Sequence, residues 1–290
     1  MNITKLIIQI GELPTLPMVA ARINQEIHNE ALTAKLLGEI IIDDAALAAK
    51  ILRLANSAFY GLQKQVTTLN KAVMVLGFNT VKNLALSVSI HSLFKKQTDS
   101  RIDLEGLWRH SLGCAAAAKI IIANTNVKLG EEAFLFGILH DIGKILIIHS
   151  APREYEKILQ LMQEENIPEK DAELQVIETT HQKLGAMLLE HWKFPDAITQ
   201  AVKFHHETDL KKKKLSPEME SLTFALFLGN QMSKALMLGR SSNPVRAEVP
   251  KFIWQALNIK HNQLNDMSTA IRKNYSILLE TWEMEGNDDT

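Results

Sequence analysis

Apolar residues recur at three- and four-residue intervals along almost the whole chain, the period of an α-helix with one buried face. Ile3, Leu6, Ile7 and Ile10 open the pattern, and Ala-, Leu- and Ile-rich stretches carry it to about residue 283. Strand-like alternation is nearly absent; "KLIIQI" and "EIIID" are too short to outweigh their helical neighbours. Prolines fall where helices would begin or end: Pro14 and Pro17 before one, Pro152, Pro168, Pro195 and Pro217 after breaks, Pro244 and Pro250 around the loop following Arg240. The pattern predicts an all-α protein of about a dozen helices.

Two polar stretches interrupt the apolar stripes. "KKQTDSRID" (95–103) has no apolar face, and "LGRSSNPVRAEVP" (238–250) precedes two last helices over roughly 250–283. The expected organisation is a helical N-terminal part over 1–98, a second helical part over 99–240, and C-terminal helices with a frayed acidic tail, "EGNDDT", over 241–290. "KKKK" at 211–214 reads as a solvated connection, with an anion contact as the alternative.

Composition narrows the class. The chain has 290 residues, 46% apolar and 22% charged, enough to bury a substantial core. A net charge of −1 advertises neither nucleic acid nor an anionic membrane as partner. Cys114 is the single cysteine, which excludes an internal disulfide. No uninterrupted apolar run reaches the ~18–20 residues of a membrane span, and the start lacks the layout of a signal peptide. The expected compartment is the cytoplasm.

Chemistry enters with polar residues that break the apolar stripes. On a helical projection His110 lies among Leu107, Gly113, Cys114 and Ala117, and His181 among Leu184, Gly185 and Leu188. His205 lies among Ile198, Ala201 and Val202. In "FLFGILHDIGKILIIHS" (134–150), within a segment apolar enough to be a buried helix, His140 lies beside Phe136 with Lys144 one turn on, and Asp141 beside Ile138 and Ile145. One inward histidine is ordinarily a hydrogen-bonded core residue. Several in one small protein must each find a partner, and convergence on a metal uses all their lone pairs. Small residues at Gly113, Ala117, Gly137, Gly143 and Gly185 would let the helices close in. His28, His191 and His261 sit among polar residues or off the stripe. P-loop, GxGxxG, GxSxG, HExxH and CxxC patterns are all missing.

Longer motifs carry a resemblance. "ELPTLPMVAARI", "IIIDDAALAAKILRLANSAFYG" and "VTTLNKAVMVLGFNTVKNLALS" resemble the N-terminal half of the HDOD family. "LWRHSLGCAAAAKI", "FGILHDIGK", "HQKLGAMLLEHWKFPDAI" and "AVKFHHE" resemble its second half, which is related to HD and HD-GYP phosphohydrolases. The resemblance implies a helical N-terminal subdomain packed on an HD-like helical subdomain. It implies that His110, His140 and Asp141 are metal ligands, with Asp141 bridging if two ions bind. His181, His205 and His206 would then be the further ligands of a two-metal site, and Lys144 the lysine that approaches a substrate phosphate, with Asp141 and Lys144 as the catalytic pair.

Two departures stand out. The closing HD aspartate should fall in "FALFLGNQMSKAL", where Asn230 stands, a neutral and weaker ligand. "HHETDLKKKKLSP" lacks the GYP loop of cyclic di-GMP phosphodiesterases, which makes that activity unexpected. The resemblance therefore implies a stand-alone regulatory or signal-transduction protein with a largely retained site for one or two divalent ions (iron, manganese or zinc), and an empty site as the alternative. A metal-dependent phosphohydrolase acting on a nucleotide or phosphomonoester is the competing reading. Expected partners are a signalling protein or a small phosphorylated ligand, not nucleic acid or membrane. "LANSAFYG" (54–61) reads as a helix end, a polar turn and a buried aromatic pair, with a docking or ligand surface as the alternative.

Overall fold

A computed structural model describes residues 15–28, 32–95, 102–242 and 247–283. The amphipathic start at 3–10, most of the 95–103 seam and the acidic tail lie outside the described residues. Fifteen α-helices and no strands are found among the described residues, somewhat more than the dozen expected.

The N-terminal helices are α1 (Met18–His28), α2 (Ala34–Ile42), α3 (Ala45–Ala55), α4 (Leu69–Leu76) and α5 (Phe78–His91). Next come α6 (Leu104–Ile122), α7 (Gly130–Leu139), α8 (Ile142–Ser150), α9 (Pro152–Glu165), α10 (Glu169–Ile177), α11 (His181–His191), α12 (Asp196–Phe204) and α13 (Pro217–Ala235). The chain closes with α14 (Lys251–Ala256) and α15 (Leu264–Glu283). Short polar side chains start many of them, each satisfying an otherwise free backbone N–H. Asp44 accepts from Leu47 N at 2.9 Å and Asp103 from Gly106 N at 2.7 Å. Ser216 accepts from Met219 N ahead of Pro217, which occupies the first helical turn.

Helix α6 is the spine, packed chiefly against α7, α13 and α15. Its middle is fully buried through Cys114, Ala115, Ala116, Ala117 and Ala118. Gly137 of α7 lies so close to α6 that a Cβ there would sit 2.4 Å from Ala115 Cα. The C-terminal helix joins α6 to the N-terminal part: Trp282 packs on Trp108 of α6 with ring centroids 5.3 Å apart and meets His91 of α5 at 6.2 Å, and His91 lies on Trp108 at 4.3 Å.

The "LANSAFYG" segment ends α3. Asn56 fixes the turn by exchanging two 2.8 Å hydrogen bonds with the Val66 backbone. Phe59 and Tyr60 meet edge to face and enclose the Lys119 ammonium, at 4.4 and 4.6 Å from their ring centres. Lys119 also pairs with Glu131 at 2.6 Å. A cation held between aromatic faces and a carboxylate thus ties the N-terminal part to α6 and α7.

The stretch Val127–Ser150 is long and apolar enough to cross a membrane by composition, and it is almost wholly buried within the protein. It is not one helix. The sequence pattern placed His140 and Asp141 inside a buried helix; α7 instead ends at Leu139 and α8 starts at Ile142, with the two polar residues in the break.

Candidate metal centre

Helix ends build this site. His140 closes α7 and Asp141 precedes α8; His181 is the first residue of α11, and His205 and His206 follow α12. Only His110, in α6, and Asn230, in α13, project from helix interiors. An aspartate before a helix ordinarily accepts from that helix's free N–H groups. Asp141 makes no such bond; its Oδ2 pairs with the Lys144 ammonium and lies 3.3 Å from His140 Nε2, and its Oδ1 faces His181 Nε2 at 3.4 Å and His205 Nε2 at 3.6 Å. Close approach makes this arrangement possible: a Cβ on Gly143 would lie 1.9 Å from the His181 carbonyl oxygen.

The five histidine rings form a connected series. Centroid separations are 5.4 Å for His110–His140, 5.1 Å for His140–His205, 5.3 Å for His181–His205 and 5.2 Å for His181–His206. Two ligand sets share Asp141: His110, His140 and Asp141, and then Asp141, His181, His205 and His206. The ligand atoms within each set lie no more than 4.8 Å apart.

Three of the rings are anchored through the far nitrogen. His140 Nδ1 donates to Gly137 O at 2.8 Å and His205 Nδ1 to Val202 O at 2.6 Å. His181 Nδ1 pairs with Glu173 Oε1 at 2.7 Å, and Glu173 Oε2 accepts from the His181 backbone N–H. Such contacts fix the tautomer and turn the Nε2 lone pairs inward. His181 Nε2 consequently lies 3.2 Å from His206 Nε2 and 3.4 Å from both His205 Nε2 and Asp141 Oδ1.

This donor set fits a divalent cation. His110 Nε2 and Asn230 Oδ1 are buried without a hydrogen-bond partner, and the Asp141 oxygens are met by Lys144 and the surrounding histidines alone. Each such orphan costs about 1–3 kcal/mol unless something binds it. Burial holds His110 and His206 well below the ordinary imidazole range and brings His205 to about 4, so their lone pairs are free. Burial opposes protonation of His140 as well, but the adjoining Asp141 carboxylate outweighs it and raises His140 to about 10. Burial works against the charged Asp141 carboxylate, yet His140 and Lys144 keep it ionised. Metal binding here would displace the His140 proton.

Lys144 is also in the cluster, fully engaged. Its ammonium lies 2.8 Å from Asp141 Oδ2 and 2.9 Å from Glu169 Oε2, and donates to Ser242 Oγ at 3.0 Å. Ser242 donates in turn to Glu169 Oε1. The structure brings most of the site residues singled out from the sequence together, and Asn230 is outside both ligand sets. The ligand sets unite His110, His140, Asp141, His181, His205 and His206, while Asn230 sits one helical turn before Ser233, whose hydroxyl lies 3.2 Å from His110 Nδ1.

Sequence reasoning missed Glu169, Glu173 and Ser242. "PEKDAELQVI" reads as a charged surface helix, but Glu169 and Glu173 share its buried face with Ala172 and Ile177. Two carboxylates on the apolar stripe were the available signal.

Known proteins share this arrangement's fold. The HDOD domain family matches residues 13–208. An uncharacterized protein of Treponema pallidum is 25% identical over 218 residues, covering 75% of this chain and 42% of its own length. The chain spans less than half the length of the curated relatives it matches. An HDOD domain protein of unknown function from Geobacter sulfurreducens superposes with a TM-score of 0.74 at 22% identity, over 96% of both chains. A proposed signal transduction protein from Marinobacter aquaeolei VT8 gives 0.71 at 22%, over 94% of this chain and 60% of that one. A proposed phosphohydrolase from Shewanella amazonensis SB2B gives 0.70 at 24%, over 94% and 95%. These likenesses concern the fold. The family match spans more than half of the sequence, and the chain belongs to the HDOD domain family.

Proposed function

We propose that this HDOD protein is a regulatory signal-transduction component in which the histidine–aspartate centre binds one or two divalent metal ions without turning over a substrate. The engagement of Lys144 carries the reading. A lysine that is to meet a phosphate needs a free ammonium, and here Asp141, Glu169 and Ser242 hold it. Burial supports the same view: His140, His181 and His205 have no exposed surface and Asp141 only 3%. Asn230, in place of a carboxylate, adds a neutral oxygen and no charge against a dication. His110, His140 and Asp141 would hold one ion, and His181, His205 and His206 a second, with Asp141 common to both. When bound, such ions supply Lewis acidity toward a phosphoryl oxygen.

The phosphohydrolase reading draws on one observation, the pair of ligand sets sharing Asp141. Elemental analysis of protein purified without chelator, as wild type and His140→Ala, is the deciding experiment, with p-nitrophenyl phosphate and nucleotides assayed in parallel. The regulatory reading expects near-stoichiometric iron, manganese or zinc in wild type, its loss in the variant, and no turnover by either protein. Turnover that vanishes in His140→Ala would favour the hydrolase, and gain of turnover in Asn230→Asp would identify the missing carboxylate as its defect. No metal in either protein would overturn the metal centre.

A further inference from the structure

The two ligand sets that share Asp141 are unequal, and the difference lies in charge. Asp141 Oδ1 faces His181 Nε2 at 3.4 Å and His205 Nε2 at 3.6 Å. Asp141 Oδ2, which faces His140 Nε2 at 3.3 Å, is already paired with the Lys144 ammonium at 2.8 Å. An ion held by His110, His140 and Asp141 must therefore share its carboxylate oxygen with a cation. The other set has four members, with His206 added. Asn230, one turn before the Ser233 that contacts His110 Nδ1, offers only a neutral oxygen.

The groups behind the ligands sharpen the contrast. His140 and His205 lean on backbone carbonyls, and His110 Nδ1 meets the Ser233 hydroxyl at 3.2 Å. His181 alone among the five histidines, within the described residues, rests its far nitrogen on a carboxylate, that of the fully buried Glu173. A carboxylate behind a ligating imidazole fixes the ring, raises its basicity and adds negative charge that the ion feels. Around the whole centre, Asp141, Glu169 and Glu173 are carboxylates and Lys144 is the ammonium among them. Their net charge balances one dication. A second ion would bring uncompensated charge into a buried region, which is costly, and Lys234, whose charge acts on His110 and His206, adds to the positive side.

We infer that the centre fills in a fixed order: the first dication enters the set of Asp141, His181, His205 and His206, and His110, His140 and Asp141 take a second, more weakly held ion. Glu173 is the positioning residue that sets the affinity of the first ion through His181. The inference rests on the reading of the histidine–aspartate cluster as a metal centre, and it names the part of that centre that responds to metal supply. The His110 set fills and empties with the surrounding dication concentration while the His181 set stays loaded.

Cobalt(II) titrated into the full chain after chelator treatment tests the order, with uptake read by equilibrium dialysis and the ion's surroundings by its visible absorption. Wild type is expected to take up one equivalent tightly and a second at least about tenfold more weakly, or not at all. Glu173→Gln keeps an oxygen for the His181 Nδ1–H and removes only the charge. It should weaken the first equivalent by about 10–100-fold and shift its absorption, whereas His110→Ala should leave the first equivalent unchanged. Anomalous diffraction from wild-type crystals grown with one equivalent reads the order without any substitution, and should locate the ion among Asp141, His181, His205 and His206. An ion found instead with His110 and His140 overturns the proposal and leaves the metal centre standing. So do two equivalents of equal affinity, loss of the first equivalent in His110→Ala, or wild-type affinity for it in Glu173→Gln. No cobalt uptake at all overturns the metal centre itself, and this order with it.

Discussion

Lys144 and His91 are both buried basic residues, and their neighbours give them opposite roles. Burial would strip the charge from Lys144, but Asp141 and Glu169 outweigh it and raise its pKa. Removing one partner of a buried ion pair leaves the others uncompensated. Lys144→Met should thus cost about 3–5 kcal/mol in urea denaturation, and adding Glu169→Gln should return part of it; a double variant no more stable than the single one would contradict the pairing. His91 is pushed down to about 2 by burial and by the positive charges of Lys50 and Lys95. Its folded form stays neutral while the unfolded chain protonates near pH 6.5, so its contribution is complete above that pH and is lost as pH falls toward 2. Lowering the pH from 7 to 5 should destabilise wild type by about 2 kcal/mol more than His91→Phe, which keeps a ring on Trp108. Equal pH slopes would remove His91 as the cause. The inward histidines were legible because each interrupts an apolar stripe. Glu169 and Glu173 were not, because charged residues beside them in the first turns of α10 disguise the buried face.

At the level of the element, the centre depends on where helices stop. Apolar residues flank His140 and Asp141 closely on both sides through 134–148, and nothing there marks the end of one helix and the start of the next. That break was therefore illegible, while the close packing it needs was visible in the glycines. Gly143 is the sharpest case, facing the His181 carbonyl across α8 and α11. Gly143→Ala must push these helices apart, which separates Asp141 from His181. The expected cost is about 1–3 kcal/mol in thermal melts, typical of overpacking, together with weaker metal uptake by equilibrium dialysis. Unchanged uptake alongside lowered stability would show that the set containing Asp141 and His181 tolerates their separation. The N-terminal aromatic motif acts at the same scale, since Phe59 and Tyr60 hold Lys119 of α6, the helix that also carries His110.

For the whole molecule, helical periodicity and proline placement conveyed the all-α class, and the family motifs conveyed the order of the parts. Distances among helices far apart in sequence were beyond both: the Asn24 anchor to Trp192 and the Ser242 contact with Lys144 each join segments separated by long stretches of chain. The stretch Val127–Ser150 has a consequence for synthesis as well as for the folded state. During synthesis this stretch emerges before α13, one of the helices that cover it, has been made. Its central aspartate and lysine then each oppose transfer into lipid by roughly 2.5–3.5 kcal/mol. Placed in an insertion reporter with microsomes, residues 127–150 should stay out of the bilayer, whereas the same segment carrying His140→Leu, Asp141→Leu and Lys144→Leu should integrate. Equal integration of both would assign the discrimination to other residues of the stretch. On that expectation, side chains that gather at the candidate centre would have a second effect, opposing the sorting of this apolar stretch as a membrane anchor.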